Sequence, residues 1–339
     1  MSQQFRFHGG PTDGDHDYLD FSVNLNFYGP SPSLKAAVAG VDYSSYPDPT
    51  ASKLRQQIAM SLDWDPEGIL IGNGACELIW LLAYRRRGSF IAAVEPTFCE
   101  LRAAADAYQV PMESVHGFRL ERSFDLVKLK SYLEKKQPGT FYICNPNSPT
   151  GHYIQHERLM NLCSEFPKVE FILDQAFLNF SDHYQDMGAP VPLNVIRLRS
   201  LTKDHAIAGL RLGYLMGAPK LCQELSRWRP FWSVNALAQV AGQVAITESK
   251  FVEDSRQKMF EDRDYLRKKL GELGLRPAPS VTNFLMVDVG DGQQLSLKLE
   301  DQGVRVRPCR SYGLPEYIRL SARPRQDVDH LMEALRRCL

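Results

Sequence analysis

The sequence predicts an α/β protein, with a large domain on a mostly parallel sheet flanked by helices and a smaller C-terminal α+β domain. Three observations carry this. Between about 69 and 216, short apolar runs alternate with segments of helical periodicity, as in a parallel sheet with right-handed crossovers. Past Pro277 the pattern changes to short strands and helices. At 339 residues the chain also exceeds one typical domain.

Composition narrows the function. Forty basic residues balance forty acidic ones, which leaves no electrostatic case for nucleic acid or an anionic membrane. No apolar run is long enough to span a bilayer, and the first residues lack the apolar core of a signal peptide. The seven cysteines are scattered, odd in number and free of C-x-x-C spacing, so they read as reduced thiols of a cytoplasmic protein.

The elements follow in order. His8-Gly9-Gly10 opens the ordered part, and a polar loop runs over 11–18. Over 19–26 apolar residues alternate with Asp20, Ser22, Asn24 and Asn26. This is either an edge strand with a solvated face or a row of hydrogen-bonding groups turned to a site. Helices are expected over 33–41 and 51–62, with an extended turn at Tyr46-Pro47-Asp48-Pro49 between them.

Next comes a strand at 69–71, a glycine turn at Gly72-Asn73-Gly74 and a helix start at Ala75-Cys76-Glu77. Backbone N–H groups and the helix dipole make such a turn an anion site, although a Gly-x-Gly turn alone is a weak signal. Arg85-Arg86-Arg87 reads as a helix end stopped by Gly88. The strand at 90–94 leads to Phe98, which is either core or a stacking face for a flat ligand.

Later strands fall at 140–144, 169–174, 195–200 and 212–216. The first runs into the rigid turn Asn145-Pro146-Asn147-Ser148-Pro149, and the second ends in Asp174, a carboxylate that is costly to bury unpaired. His152 and His156 have the i, i+4 spacing of metal ligands but no third ligand nearby, so no metal site is expected. The last third carries long helices over 236–245 and 251–270, strands at 282–287, 304–307 and 317–320, and helices over 295–302 and 328–338.

The chemistry concentrates at Ser200-Leu201-Thr202-Lys203, followed by Arg211-Leu212-Gly213. Hydroxyls, a guanidinium and glycines together suit a phosphate. A lysine beside a phosphate site suggests pyridoxal phosphate held as a Schiff base on Lys203. Gly74, Phe98, Ser148, Asp174 and Lys203 all fall at or just past the C-terminal ends of expected strands, where α/β sheets bind ligands.

These motifs, in this order over nearly the whole chain, resemble fold-type I pyridoxal-phosphate enzymes. The branch is the one holding histidinol-phosphate aminotransferase and threonine-phosphate decarboxylase. The resemblance implies an aspartate aminotransferase-like fold with a seven-stranded-type sheet. It divides the chain into an N-terminal arm (1–32) joining the small domain and the active site, a large cofactor-binding domain (33–235), and an interdomain helix with the small domain (236–339). It implies Lys203 as Schiff-base lysine and Asp174 as partner of the pyridine nitrogen. Ser200, Thr202, Arg211 and Gly74-Ala75-Cys76 would hold the phosphate, and Phe98 would stack on the ring. Tyr46 would reach a neighbouring subunit's phosphate, which implies a homodimer. Arg319, in Ile-Arg-Leu-Ser, matches the arginine that clamps a substrate carboxylate, and His8 and Asn24 become substrate residues.

Departures from the family pattern bear on the reaction. Ser148 stands where the family usually has an asparagine for the ring hydroxyl, with Asn147 as a substitute, and Phe177 replaces a tyrosine at the same oxygen. Gln175 replaces the usual glutamate. His8-Gly9-Gly10, Pro96-Thr97-Phe98-x-Glu100 and Trp232-Ser233-Val234-Asn235 lean toward the decarboxylase. The expected function is therefore a pyridoxal-phosphate enzyme acting on a small phosphorylated amino acid or amine, decarboxylase-like. A histidinol-phosphate-type aminotransferase is the alternative, and a non-catalytic protein of the same fold is the second alternative.

Overall fold

The structure is a computed structural model that describes residues 8–11, 18–117 and 124–339. Most of the polar loop expected at 11–18 lies outside the described residues. Strand β1 is short, Leu19–Asp20. The central sheet has seven strands: β2 (Ile69–Asn73), β3 (Ile91–Glu95), β4 (Met112–His116), β5 (Thr140–Cys144), β6 (Glu170–Asp174), β7 (Val195–Ser200) and β8 (Leu212–Met216). Their spatial order is β2-β8-β7-β6-β5-β3-β4. Strand β8 runs antiparallel to both neighbours, and the other pairs are parallel. The link between β7 and β8 carries one 3-10 turn, too little chain for a helical crossover, so β8 must return antiparallel.

Edge strand β4 was not legible. Its residues, Met-Glu-Ser-Val-His, form neither an alternation nor an apolar run, and among them only Val115 is buried. Its neighbours were, because both faces are covered and the residues are apolar throughout, as in β5, where all five are buried. Phe141 and Phe171 pack on one face against Leu129 and Leu133 of an overlying helix, Leu126–Lys136. Tyr142 and Ile172 pack on the other, against Leu78 and Leu82.

Eleven α-helices accompany the strands among the described residues: α1 (Pro32–Ala39), α2 (Ser52–Leu62), α3 (Gly74–Arg85), α4 (Glu100–Ala107), α5 (Leu126–Lys136), α6 (His156–Glu165), α7 (Pro219–Ser226), α8 (Ala236–Ala245), α9 (Ser249–Glu272), α10 (Gly292–Glu300) and α11 (Arg325–Cys338). Helix α3 buries Leu78, Ile79, Leu82 and Ala83 on one stripe and ends at Arg85. Arg85 and Arg86 there pair with Glu170, and Arg85 also with Glu224, so the arginine triplet is a helix end as read. No helix of the described residues is long and apolar enough to cross a membrane.

The smaller lobe is a three-stranded antiparallel sheet, β11-β12-β9, from β9 (Phe284–Asp288), β11 (Arg307–Pro308) and β12 (Tyr317–Ser321). Helix α11 covers it with Val328, Leu331, Met332 and Leu335, an i, i+3, i+4, i+7 stripe. The single strand expected over 304–307 is split. Its first half, β10 (Val304–Arg305), pairs with β1, and β11 pairs with β12. The split gives the N-terminal segment its dock. Leu19 and Asp20 pair in parallel with Val304 and Arg305, and Phe21 is fully buried in the small-lobe core. Beyond Asp20 the chain leaves the strand, so the expected strand over 19–26 is mostly a hydrogen-bonded strap. The Asn26 N–H donates to the Lys203 carbonyl at 3.0 Å, and Asn26 Nδ2 donates to the Asp204 carbonyl at 3.0 Å.

Candidate active site

A cavity of about 230 Å³ opens at the C-terminal ends of the sheet strands and is closed by the strap and the small lobe. Three parts of the chain, far apart in sequence, line it. Helix α3 enters with Gly74, Ala75 and Cys76. The strand ends supply Phe98, Ser148, Asp174, Phe177, Ser200, Thr202, Lys203 and Arg211, and the strap and small lobe supply His8, Asn24 and Arg319.

The lysine is the centre of this arrangement. Lys203 Nζ lies 4.8 Å from the centroid of the Phe177 ring, and Phe177 packs edge-on against Phe284 of β12's neighbour strand β9, with centroids 5.1 Å apart. Asp174, at the tip of β6, is 3 % exposed. Its Oδ2 accepts from the Tyr142 hydroxyl at 2.6 Å and its Oδ1 from the Ala176 N–H at 3.0 Å. Burial, with Asp174 close by, pushes the Tyr142 hydroxyl well above its ordinary range, so Tyr142 stays a donor and steadies a carboxylate in the cavity wall.

The opposite wall fits a phosphate. Ser200 and Thr202 hydroxyls lie 2.7 Å apart. Gly74 takes φ +75°, and a Cβ there would stand 2.9 Å from Arg211 Nη2. A Cβ on Gly213 would stand 2.6 Å from the Ala75 backbone N. The glycines therefore let the guanidinium and the first N–H groups of α3 converge on one point, at the positive end of the helix dipole.

At the substrate end, Arg319 is 6 % exposed and donates to the Ser148 hydroxyl at 2.9 Å and to the Ser22 carbonyl at 2.9 Å. Burial pulls its guanidinium below the usual arginine range. Asn24 is 5 % exposed, and neither its Nδ2 nor its Oδ1 has a partner. An amide buried that deeply with both ends free is expensive unless something in the cavity meets it. His8 tilts over Phe98, ring centroids 5.6 Å apart, and its Nε2 pairs with Glu100 at 2.6 Å. The Cys99 sulfur and the Glu100 carboxylate push His8 up to about 9. His8, Cys99 and Glu100 are also the one group of ligand-type side chains among the described residues whose donor atoms lie within 4.8 Å of one another. His152 and His156 do not converge: His156 Nε2 meets the Pro190 carbonyl at 3.0 Å.

Two expected residues stand outside the cavity lining. Asn147 is absent from the lining: its Nδ2 donates to the Pro96 carbonyl (3.0 Å) and the Thr150 hydroxyl (2.9 Å), while its Oδ1 has no partner. Tyr46 is 80 % exposed and stacks on Trp232, with centroids 4.5 Å apart. Conversely, Arg307 and Tyr312 line the cavity without having been singled out, and Ser22, from the polar row over 19–26, lines it beside Asn24. The alternation Arg305-Val306-Arg307 in a strand pattern was the available signal for Arg307, since a cation on a buried face asks for an anion.

Comparison with known proteins agrees with this geometry. The model of the aminotransferase class I and II family matches residues 16–335. The chain belongs to that family. It is 32 % identical over 342 residues to a histidinol-phosphate aminotransferase of Moorella thermoacetica, covering 96 % of this chain and 86 % of the relative. Among solved structures, the histidinol-phosphate aminotransferase of Sinorhizobium meliloti in complex with pyridoxal-5'-phosphate superposes with a TM-score of 0.84 at 23 % identity, covering 96 % and 93 % of the two chains. The L-threonine-O-3-phosphate decarboxylase of Porphyromonas gingivalis gives 0.81 at 24 %, covering 94 % and 98 %. The fold is therefore the aspartate aminotransferase-like α/β fold, and the protein is a pyridoxal-phosphate enzyme of the aminotransferase family. The donor set fits that cofactor: a lysine, a carboxylate with a fixed donor behind it, and a glycine-opened phosphate cradle.

Proposed function

We infer that the enzyme transaminates a small phosphorylated amino alcohol of the histidinol-phosphate kind, with a 2-oxo acid as amino acceptor. The observation that carries this is the substrate end of the cavity. There a buried, unpartnered Asn24 amide and a cationic His8 stand ready for a phosphate, apart from the Arg211 cradle. The name of the Moorella relative supports the same choice. The decarboxylase reading draws on motifs shared with a neighbour whose likeness, at 24 % identity, speaks for the fold alone.

Lys203, Asp174, Arg211, Ser200, Thr202 and the Gly74-Ala75-Cys76 backbone would hold pyridoxal phosphate, with Phe98 and Phe177 against its ring. The cofactor supplies an electron-withdrawing ring that weakens the bonds at the substrate's α-carbon. Around it each residue has one task. The Asp174 carboxylate, steadied by Tyr142, would hold a proton on the pyridine nitrogen. Arg319 would grip the carboxylate of the 2-oxo acid partner, and the Asn24 and His8 end would hold the phosphate of the amino alcohol, each fixing how its substrate stands in the cavity. Lys203 Nζ is the base that would take the proton from the nitrogen-bearing carbon of the substrate and hold it for return. Phe177 and Phe284 keep water from this path.

We further infer a homodimer in which Tyr46 and Trp232, a stacked and exposed aromatic pair, face the second subunit. All seven cysteines are unpaired, which supports a reducing, cytoplasmic setting. Incubation of the loaded enzyme with histidinol phosphate or O-phosphothreonine, with and without 2-oxoglutarate, tests the reaction. Glutamate formed from histidinol phosphate, dependent on 2-oxoglutarate, supports it. Carbon dioxide released from O-phosphothreonine without a keto acid overturns it.

A further inference from the structure

Behind the sheet, on the face opposite α3, lies a second cavity of about 450 Å³ that the reaction does not use. Its polar groups are unusual for a packing defect. Arg199 of β7 is 2 % exposed, its Nη2 donates to the Met187 carbonyl at 2.8 Å, and its Nε has no partner. Arg256 of α9 is 7 % exposed, donates Nη1 to the Asn179 carbonyl at 3.2 Å, and lies 3.3 Å over the Tyr184 ring. Among the described residues neither guanidinium has a carboxylate within 4.0 Å. Asp204 favours both charges, and Glu253 that of Arg256, from beyond that distance, so an anion entering the cavity would be the first to pair with the guanidiniums directly.

The same cavity holds acceptors that an anion would leave unmet. Gln175 Oε1 and Asp204 Oδ1 have no partner, and both residues are more than nine-tenths buried. Asp204 Oδ2 accepts from Asn179 Nδ2 at 3.0 Å, which fixes the carboxylate in place. Burial pushes the Asp204 carboxyl up to about 6 against the Asn179 hydrogen bond and the charges of Lys203, Arg199 and Arg256, and an ammonium in direct contact would favour its ionised form further. Leu62, Leu201, Ile246 and Val252 add apolar wall.

We propose that this cavity binds a free α-amino acid with an apolar side chain, its carboxylate on Arg199 and Arg256 and its ammonium on Asp204 and Gln175, as a regulatory ligand of the enzyme. A simple anion would satisfy the arginines and leave two buried oxygens bare, whereas a zwitterion meets both sets. The regulatory role follows from adjacency. Asp204 is the residue after Lys203, Gln175 is the residue after Asp174, and Ser200 lines both cavities. A ligand that holds Asp204 and Gln175 therefore shifts the two residues that handle the cofactor, whatever the substrate proves to be.

The test is calorimetric titration of the pyridoxal-phosphate-loaded enzyme with L-leucine, 4-methylpentanoate and 3-methylbutylamine, which present both charges, the carboxylate alone and the ammonium alone. Cofactor absorbance, followed in parallel, separates this cavity from the catalytic one, where an amine displaces Lys203 and alters the spectrum. L-leucine is expected to bind without the catalytic-site spectral change, and the two single-charge probes at least about tenfold more weakly, one charged hydrogen-bonding group being worth that much. Arg256→Met is expected to weaken leucine by about tenfold or more. Ser249→Trp, at the exposed rim, is expected to block it and serves should the buried substitution unfold the protein. Equal binding of 4-methylpentanoate, leucine binding unchanged in both variants, or no heat up to about 10 mM leucine would each overturn the proposal.

Discussion

Arg319 donates a 2.9 Å hydrogen bond to the Ser148 hydroxyl, joining a strand of the small lobe to the turn that follows β5. The two residues are expected to contact different molecules, one a substrate carboxylate and the other the cofactor ring, yet here they touch each other. Ser148→Ala leaves a buried guanidinium one acceptor short. A hydrogen bond to a charged group is worth roughly 1.5–3 kcal/mol, so the KM for the carboxylate substrate should rise by about tenfold or more. Steady-state kinetics at saturating amino alcohol reads this, and Arg319→Met should have the larger effect.

Asp174 owes its position to Tyr142. In Tyr142→Phe the carboxylate keeps the Ala176 N–H and loses its charge-assisted partner. Cofactor affinity is expected to fall about tenfold while the fold persists, since the change removes one oxygen and no ring. Asp174→Asn should cost on the order of 10²–10³ in kcat, as for loss of a preorganised electrostatic group. Absorbance titration with pyridoxal phosphate checks the first, and single-turnover rates check the second.

Gly213→Ala would drive a methyl to within 2.6 Å of the Ala75 N–H at the mouth of the phosphate cradle. Neither β8 nor the helix start can give way freely, because both lie in the packed sheet. Stability should fall by roughly 1–3 kcal/mol, and cofactor affinity should fall with it. Thermal unfolding with and without cofactor separates the two effects.

His8 carries a pH dependence whose sign is fixed. Its folded-state value is raised from 6.5 to about 9 by Cys99 and Glu100. Anchoring of the segment around His8 is thus fully present below pH 6.5 and is lost as pH rises through about 9. Trp80, whose indole N–H donates to the same Glu100 carboxylate at 2.8 Å, is a built-in reporter. Its emission should change through that alkaline window, and His8→Gln should abolish the change.

Phe177→Tyr restores a hydroxyl near the place where Ser148 provides a short one. With Lys203 Nζ 4.8 Å from the ring, the substitution should shift the cofactor's absorbance-pH curve and leave stability nearly unchanged. Spectrophotometric titration of the loaded variant measures it.

The chemistry was legible where residue type and position in a strand agreed. A lysine after two hydroxyls and an acid at the tip of an apolar strand have few uses in a core, and Lys203 and Asp174 both line the cavity. Tyr142 was invisible, because in a buried strand it cannot be told from the phenylalanine beside it. Asn147 and Ser148 show a second limit, since of these two neighbours in a tight turn only Ser148 lines the cavity. Arg307 and Tyr312 depend on how the small lobe folds back over the large sheet, which no local pattern records.

The docking of the N-terminal strap also sets an order in time. Arg319 reaches the Ser22 carbonyl across 297 residues, and β1 finds its partner only in β10. During synthesis the segment around Asn24 leaves the ribosome well before β10 and stays without its dock until that strand has followed. The large sheet can form meanwhile from neighbours in sequence, but the wall of the cavity that reads the substrate cannot. A nascent chain of this enzyme thus acquires the means to hold its cofactor before it acquires the means to choose what to do with it.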